Sequence, residues 1–179
     1  MVNPQNSMLT SLNLIKMDSI TYYNAIKDSY GRLYFDEQIK KIRFLLSKFD
    51  IPEYAEILDV GAGPGILETV MTKNRITAIE PSDMADIISQ RRLSNVSIIR
   101  KKIEDFNTKN KFDFVFCVTV LQDINEVERE KVIEKMFSLT KEGGFTIISV
   151  LKVSGIDLSI LKPIESGEVE NDRYFIFKR

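Results

Sequence analysis

The sequence predicts an α/β domain: a mainly parallel sheet of seven strands with helices on both faces. Three observations predict it. Short apolar runs rich in β-branched residues alternate with helix-period segments from Glu56 to Leu151. The first run passes directly into a glycine-rich turn, Gly61-Ala62-Gly63-Pro64-Gly65. The C-terminal stretch instead holds two extended segments, 161–168 and 173–178, around Asn171-Asp172, which reads as an antiparallel strand pair. A chain of 179 residues and 20.6 kDa fits one domain. Residues 1–50 form its helical lid and residues 56–179 its sheet.

The elements follow in order. The first ~20 residues are polar and aperiodic, a loose tail or a single lid turn. Ile20, Tyr23 and Ile26 recur at helix spacing, and Gly31 is expected to interrupt that helix. A second helix is predicted over 36–49. Ile39, Ile42, Leu45, Leu46 and Phe49 form one face, and Lys40, Lys41, Arg43 and Lys48 the other. Strands are expected at 56–60, 75–79, 96–99, 112–118 and 145–151, with helices from Gly65 to about 73, over 83–92, and over 125–140. Asn125 is the N-cap of the last helix, and Gly143-Gly144 breaks that helix ahead of the fifth strand.

Composition removes several chemistries. There is no histidine and one cysteine, Cys117, so no imidazole base, no Cys/His zinc cage and no intrachain disulfide exist. No metal is expected. The net charge of −1 disfavours a nucleic-acid partner. No secretory signal or membrane-length apolar run is present, which leads to the expectation of a cytoplasmic protein without a membrane partner. Arg91-Arg92 and Arg100-Lys101-Lys102 read as a solvated basic face, and Cys117 as a core residue.

The segment Ile57 to Gly65 is the most informative. Its glycines, Gly61, Gly63 and Gly65, depart from the G-x-G-x-x-G of dinucleotide sites, with Ile66 where the third glycine would stand. A glycine turn after the first parallel strand lets backbone approach a ligand and aims helix N–H groups at it. Asp59 would repel a pyrophosphate and suits a cationic amino group. Glu80, ending the second strand, can accept both hydroxyls of a ribose.

With these residues the chain resembles the class I S-adenosylmethionine-dependent methyltransferases, a Rossmann-like fold, of the small type related to the ubiquinone/menaquinone-biosynthesis methylases. Asp59 to Gly65 matches the family's first motif and Glu80 its ribose acid. Pro81 to Met84 resembles the adenine-side turn and Ile103 to Phe106 the third motif. Lys111 to Leu121 resembles the fourth-strand motif and Lys141 to Phe145 the turn into the fifth strand. The resemblance covers residues 22–151. It implies that S-adenosylmethionine is the cofactor and S-adenosylhomocysteine the product. Asp59 would orient the methionine amino group through water. Gly61, Ala62 and Gly63 would line the methionyl and ribose part, Glu80 would take the ribose hydroxyls, and Pro81 would pack on the adenine. Ile103 and Glu104 would read the adenine edge, and Val118 and Thr119 would sit beside the sulfonium. The family's aromatic lid positions match Tyr30, expected on the cofactor, and Tyr34. Tyr34 is expected on the substrate together with Tyr22 and Gln122. Lys102 departs from the pattern: the family often has an Asp there, and a lysine cannot accept a hydrogen bond from the adenine amino group. Recognition then falls to Glu104 or Asp105, or to backbone and packing.

The resemblance implies a methyltransferase whose acceptor is a small molecule. Asp123, or a tyrosine, is the candidate proton acceptor at the reacting nucleophile. Only about 20 residues separate Leu151 from the last strand, so the N-terminal 50 residues must build the acceptor side. That leaves an open site for a protein or RNA acceptor, or one completed by a homodimer or partner subunit. Two other classes compete with this reading: a non-catalytic cofactor-binding subunit and an NAD(P)-dependent oxidoreductase.

Overall fold

The computed structural model describes residues 18–179, except the side chains of residues 28 and 30–33. Helix α1 spans Ser19–Leu46. Strand β1 (Glu56–Val60), helix α2 (Ile66–Val70), β2 (Arg75–Ile79), α3 (Ala85–Gln90) and β3 (Val96–Ile99) follow. Then come β4 (Phe112–Val118), α4 (Glu126–Leu139), β5 (Thr140–Leu151), β6 (Glu165–Val169) and β7 (Asp172–Lys178). The seven strands form one sheet in the order β3-β2-β1-β4-β5-β7-β6. Pairs are parallel from β3 through β5, and β7 runs antiparallel to both β5 and β6.

Side-chain alternation divides the core between the two faces of the sheet. Ile57, Phe114, Phe116, Ile147 and Ile176 pack with Ile42 and Leu45 of α1 and Ile66 and Leu67 of α2. Their neighbours Leu58, Val115, Cys117, Ile148 and Phe175 pack with Val132, Met136 and Leu139 of α4. The central strands β1, β4 and β5 are thus buried on both faces, as parallel strands at the middle of a sheet require.

Three local expectations are corrected. Gly31 does not interrupt the first helix. The two predicted helices are one 28-residue helix, because packing of its Ile42–Leu45 stripe outweighs the cost of one glycine, about 1 kcal/mol. Its start is capped by Asp18, which accepts from the Thr21 N–H at 3.1 Å. Lys41 is not on the solvent face but fully buried. Residues 38, 41, 42 and 45 are all buried, at i, i+3, i+4 and i+7, so the buried stripe takes in a glutamine and a lysine. Finally, α4 ends at Leu139, ahead of Gly143-Gly144, and the fifth strand starts five residues earlier than Phe145. β5 begins at Thr140 and takes the two glycines in as an irregularity. Gly143 has φ +78°, and a Cβ on Gly144 would lie 2.7 Å from the Asp113 carbonyl oxygen, so only glycine fits against β4 there. The polar first 17 residues of the sequence reading lie outside the described residues.

Candidate active site

The carboxyl ends of β1, β2 and β4 open into a cavity of about 720 Å³, where ligands bind in sheets of this kind. Val60, Ile79 and Val118 end those strands on its wall. Gly61, Gly63, Pro81, Met84 and Ile103 continue the wall on one side, and Thr119, Gln122 and Asp123 on the other. Tyr22 and Tyr23 of α1 also line it.

The glycine loop is held by β2. Gly61 and Ala62 both donate their N–H to the Ile79 carbonyl, at 2.8 and 3.0 Å. Gly63 donates to Glu80 Oε2 at 2.8 Å, and Gly65 to the Ala62 carbonyl at 3.0 Å. These four donors are therefore spent on the protein. Gly61, Gly63 and Gly65 all take left-handed φ, which lets the loop turn tightly against the end of β2. The loop offers space instead: a Cβ on Gly63 would meet only the Met84 sulfur, at 3.8 Å.

Glu80 is buried on the cavity wall. Its Oε1 accepts from the Ser82 N–H at 2.8 Å and the Ser82 hydroxyl at 2.5 Å. Together with the Gly63 bond, these fill three of its four acceptor positions and fix the carboxylate in one orientation. Glu104 lines the cavity near Ile103, whereas Asp105 is exposed and not on the wall. Lys102 also lines the cavity.

Asp59 and Ala62 are buried and not on the cavity wall. The Asp59 carboxyl faces that of Glu68, which is fully buried in α2 with no protein donor to either oxygen. Burial pushes Asp59 well above the ordinary carboxylate range, with Glu68 and Glu80 adding to it, and burial raises Glu68 to about 7. Arg91 tempers Glu68 from nearby and donates to the Gly65 carbonyl at 2.6 Å. Arg92, Arg100, Lys101 and Lys102 are exposed as expected, Arg100 pairing with Asp83 and Asp86 at the surface.

On the acceptor side, Asp123 Oδ2 accepts from the Tyr23 hydroxyl at 2.7 Å and from Gln122 Nε2 at 3.4 Å. Burial raises the Asp123 carboxyl despite these two bonds. Tyr22 packs edge-on against Tyr23. Its hydroxyl is raised by burial and by a hydrogen bond with Tyr34, which is not on the cavity wall. The Tyr30 side chain lies outside the described residues. Sequence reasoning missed Tyr23 as a site residue, although it stood among the clustered tyrosines. It also missed Glu68, which only its position on the buried side of a short helix reveals. Thr119 lines the cavity, but its hydroxyl turns away to Asp172 Oδ2 at 2.6 Å. Among the described residues no cluster of His, Cys, Asp and Glu is arranged to hold a metal ion, and no helix is long and apolar enough to cross a membrane.

Comparison with known proteins agrees with this geometry. The family described as a methyltransferase domain matches residues 57–144. The carboxy-S-adenosyl-L-methionine synthase of Staphylococcus epidermidis is 26% identical over 151 residues, covering 80% of this chain and 63% of that protein. The ubiquinone biosynthesis O-methyltransferase of Vibrio vulnificus is 28% identical over 156 residues, covering 76% and 65%. The chain thus spans just under two thirds of the length of these relatives. Among solved structures, the N-methyltransferase NodS from Bradyrhizobium japonicum, in complex with S-adenosyl-L-homocysteine, superposes with a TM-score of 0.74 at 16% identity, covering 91% of this chain and 99% of that one. The DhpI complex with SAH gives 0.66 at 20% identity, covering 90% and 78%. The sheet order and the glycine loop leading to a buried strand-end acid are shared with this fold, and residues 57–144 are similar to the methyltransferase domain.

Proposed function

We propose that this protein binds S-adenosylmethionine in the β1–β2–β4 cavity and transfers its methyl group to a nucleophile on a small-molecule acceptor. One observation carries the reading: Glu80 is clamped on the cavity wall beside the space left by Gly63. The cavity fits the cofactor in size and chemistry. Glu80 Oε2 keeps one open acceptor position for a ribose hydroxyl, and rotation of the Ser82 hydroxyl frees a second. Met84, Pro81 and Ile103 supply apolar contact for the adenine, with Glu104 at its edge. Val118 and Thr119 flank the sulfur end. The four loop N–H groups already bonded within the protein disfavour a pyrophosphate, and with it the NAD(P) reading.

When bound, the cofactor supplies a methyl group that is already electrophilic. The protein's task is then alignment and exclusion of water. Tyr22 and Tyr23 line the same cavity as Gln122 and Asp123. Tyr23 holds Asp123 by Oδ2, which leaves Oδ1 to take a proton from an acceptor hydroxyl or ammonium group. The curated relative that is a ubiquinone biosynthesis O-methyltransferase supports a small-molecule acceptor.

Calorimetric titration tests the cofactor reading. S-adenosylhomocysteine is expected to bind and NADH not; binding of NADH alone overturns it. For the base, the rate with the acceptor is expected to rise through the raised Asp123 pKa, and Asp123→Asn to abolish that limb. An unchanged rate and profile in the variant would remove Asp123 from the chemistry.

A further inference from the structure

Thr119 stands in a conformation that its side chain disfavours. It directly follows β4 on the cavity wall, and its φ is +59°. β-branched residues rarely enter that left-handed region. Buried partners hold it there. The Thr119 hydroxyl donates to Asp172 Oδ2 at 2.6 Å, and Lys41 Nζ and Gln38 Nε2 donate to Thr119 Oγ1 at 3.4 and 3.5 Å. Asp172, the first residue of β7, also accepts from the Ser149 hydroxyl of β5 at 2.7 Å and pairs with Lys41 at 2.7 Å. Lys41 bonds Glu37 at 2.6 Å, one turn earlier on α1. The Lys41 and Asp172 side chains are both 0% exposed.

A buried ion pair is a poor way to stabilise a fold, since apolar residues of similar volume usually do as well. This pair has a second consequence. The Thr119 carbonyl accepts from Gln122 Nε2 at 2.6 Å, and its N–H donates to the Ser149 carbonyl at 3.0 Å. The direction of the chain leaving β4 therefore follows from the conformation of Thr119, and with it the placement of Gln122 and Asp123.

We infer that the Lys41–Asp172 pair is a positioning device. It clamps Thr119 in the left-handed conformation, sets the turn that carries Gln122 and Asp123 against the cavity, and ties the lid helix α1 to that turn. Lys41 and Asp172 act through Thr119 and touch no ligand. The nature of the ligand rests on the cofactor reading above; the clamp rests on the geometry of the protein.

Two readouts test it. In the ligand-free protein, the Thr119 Cα and Cβ chemical shifts report its backbone conformation. Asp172→Asn is expected to move them out of the left-handed range, and unmoved shifts overturn the clamp. The second readout is S-adenosylhomocysteine affinity. Asp172→Asn is expected to weaken it about fivefold or more, while Thr119→Gly in the Asp172→Asn background brings it to within about twofold of Thr119→Gly alone, because glycine enters the left-handed region without a side-chain hold. A purely structural pair gives losses that multiply instead, and that result, or an affinity unchanged by Asp172→Asn, refutes the inference. Should Asp172→Asn fail to fold, Lys41→Met combined with Asp172→Leu replaces the pair by apolar volume and is expected to release Thr119 in the same way. If the wild-type protein does not bind S-adenosylhomocysteine, the cofactor reading fails, and the Thr119 shifts still decide the clamp.

Discussion

Replacing Glu68 by glutamine should make the protein more stable at alkaline pH and leave it nearly unchanged at pH 5. Glu68 is fully buried, its oxygens meet no protein donor, and it faces Asp59. Its carboxyl is raised from 4.5 to about 7, chiefly by burial. The folded protein therefore holds this proton over a range where the unfolded chain releases it. Stability from this group is fully present below about 4.5 and is lost as pH rises through about 7. The difference corresponds to about 3 kcal/mol. Asp59, raised in the same direction, adds to the loss. In Glu68→Gln the amide fills the same volume, carries no charge and can donate to Asp59, which then stays ionised at lower pH. Urea unfolding at pH 5, 6, 7 and 8 measures the difference. The wild type is expected to weaken relative to the variant across that series, with a gap of up to about 3 kcal/mol at pH 8. A gap that is the same at pH 5 and pH 8, or a variant less stable than wild type at pH 8, would refute the reasoning.

Three further predictions follow from the same region. Glu80→Gln should weaken S-adenosylhomocysteine at least tenfold by calorimetry, since charged hydrogen bonds worth about 1.5–3 kcal/mol are lost; a change under threefold would count against the ribose role. Gly61→Ala should destabilise the fold by about 2–4 kcal/mol, because φ is +72° and the new Cβ would lie 2.5 Å from Val120 Cγ2. Adding Val120→Ala should recover only the packing part, and full recovery in thermal unfolding would show that the left-handed conformation costs nothing. Burial pushes the Cys117 thiol up, so an aromatic disulfide reagent should modify it only at the rate of unfolding; fast reaction in native buffer would contradict its burial.

Much of the fold was legible because it rests on local pattern. The bounds of β1 to β4 agree with the predicted ones, since each is a short apolar run, and β1, β2 and β3 end at Gly61, Glu80-Pro81 and Arg100. Asn125 caps α4 as expected, accepting from the Glu128 N–H at 3.0 Å. The cavity was legible through the spacing of Gly61, Gly63 and Gly65 and the position of Glu80. Lys41 shows the limit. Its spacing from Gln38, Ile42 and Leu45 placed it in the buried stripe, but its charge argued for solvent, and no local rule reveals that Asp172, 131 residues away, would neutralise it. Gly31 shows the same limit from the other side, because helix continuity there is decided by packing several turns further on.

The sequence by itself determined the order of strands and helices, the glycine turn and the acid at the end of β2. These depend on residue type and on neighbours within a few positions. Only the tertiary structure decided which polar groups are sealed in and what they do there. It spent the loop's N–H groups on Ile79 and Glu80, set Asp59 against Glu68, joined Tyr23 to Asp123, and drew Lys41 and Asp172 together beneath Thr119. The physical reason is that a buried charge or donor is settled by the partner that reaches it, and that partner comes from a distant part of the chain.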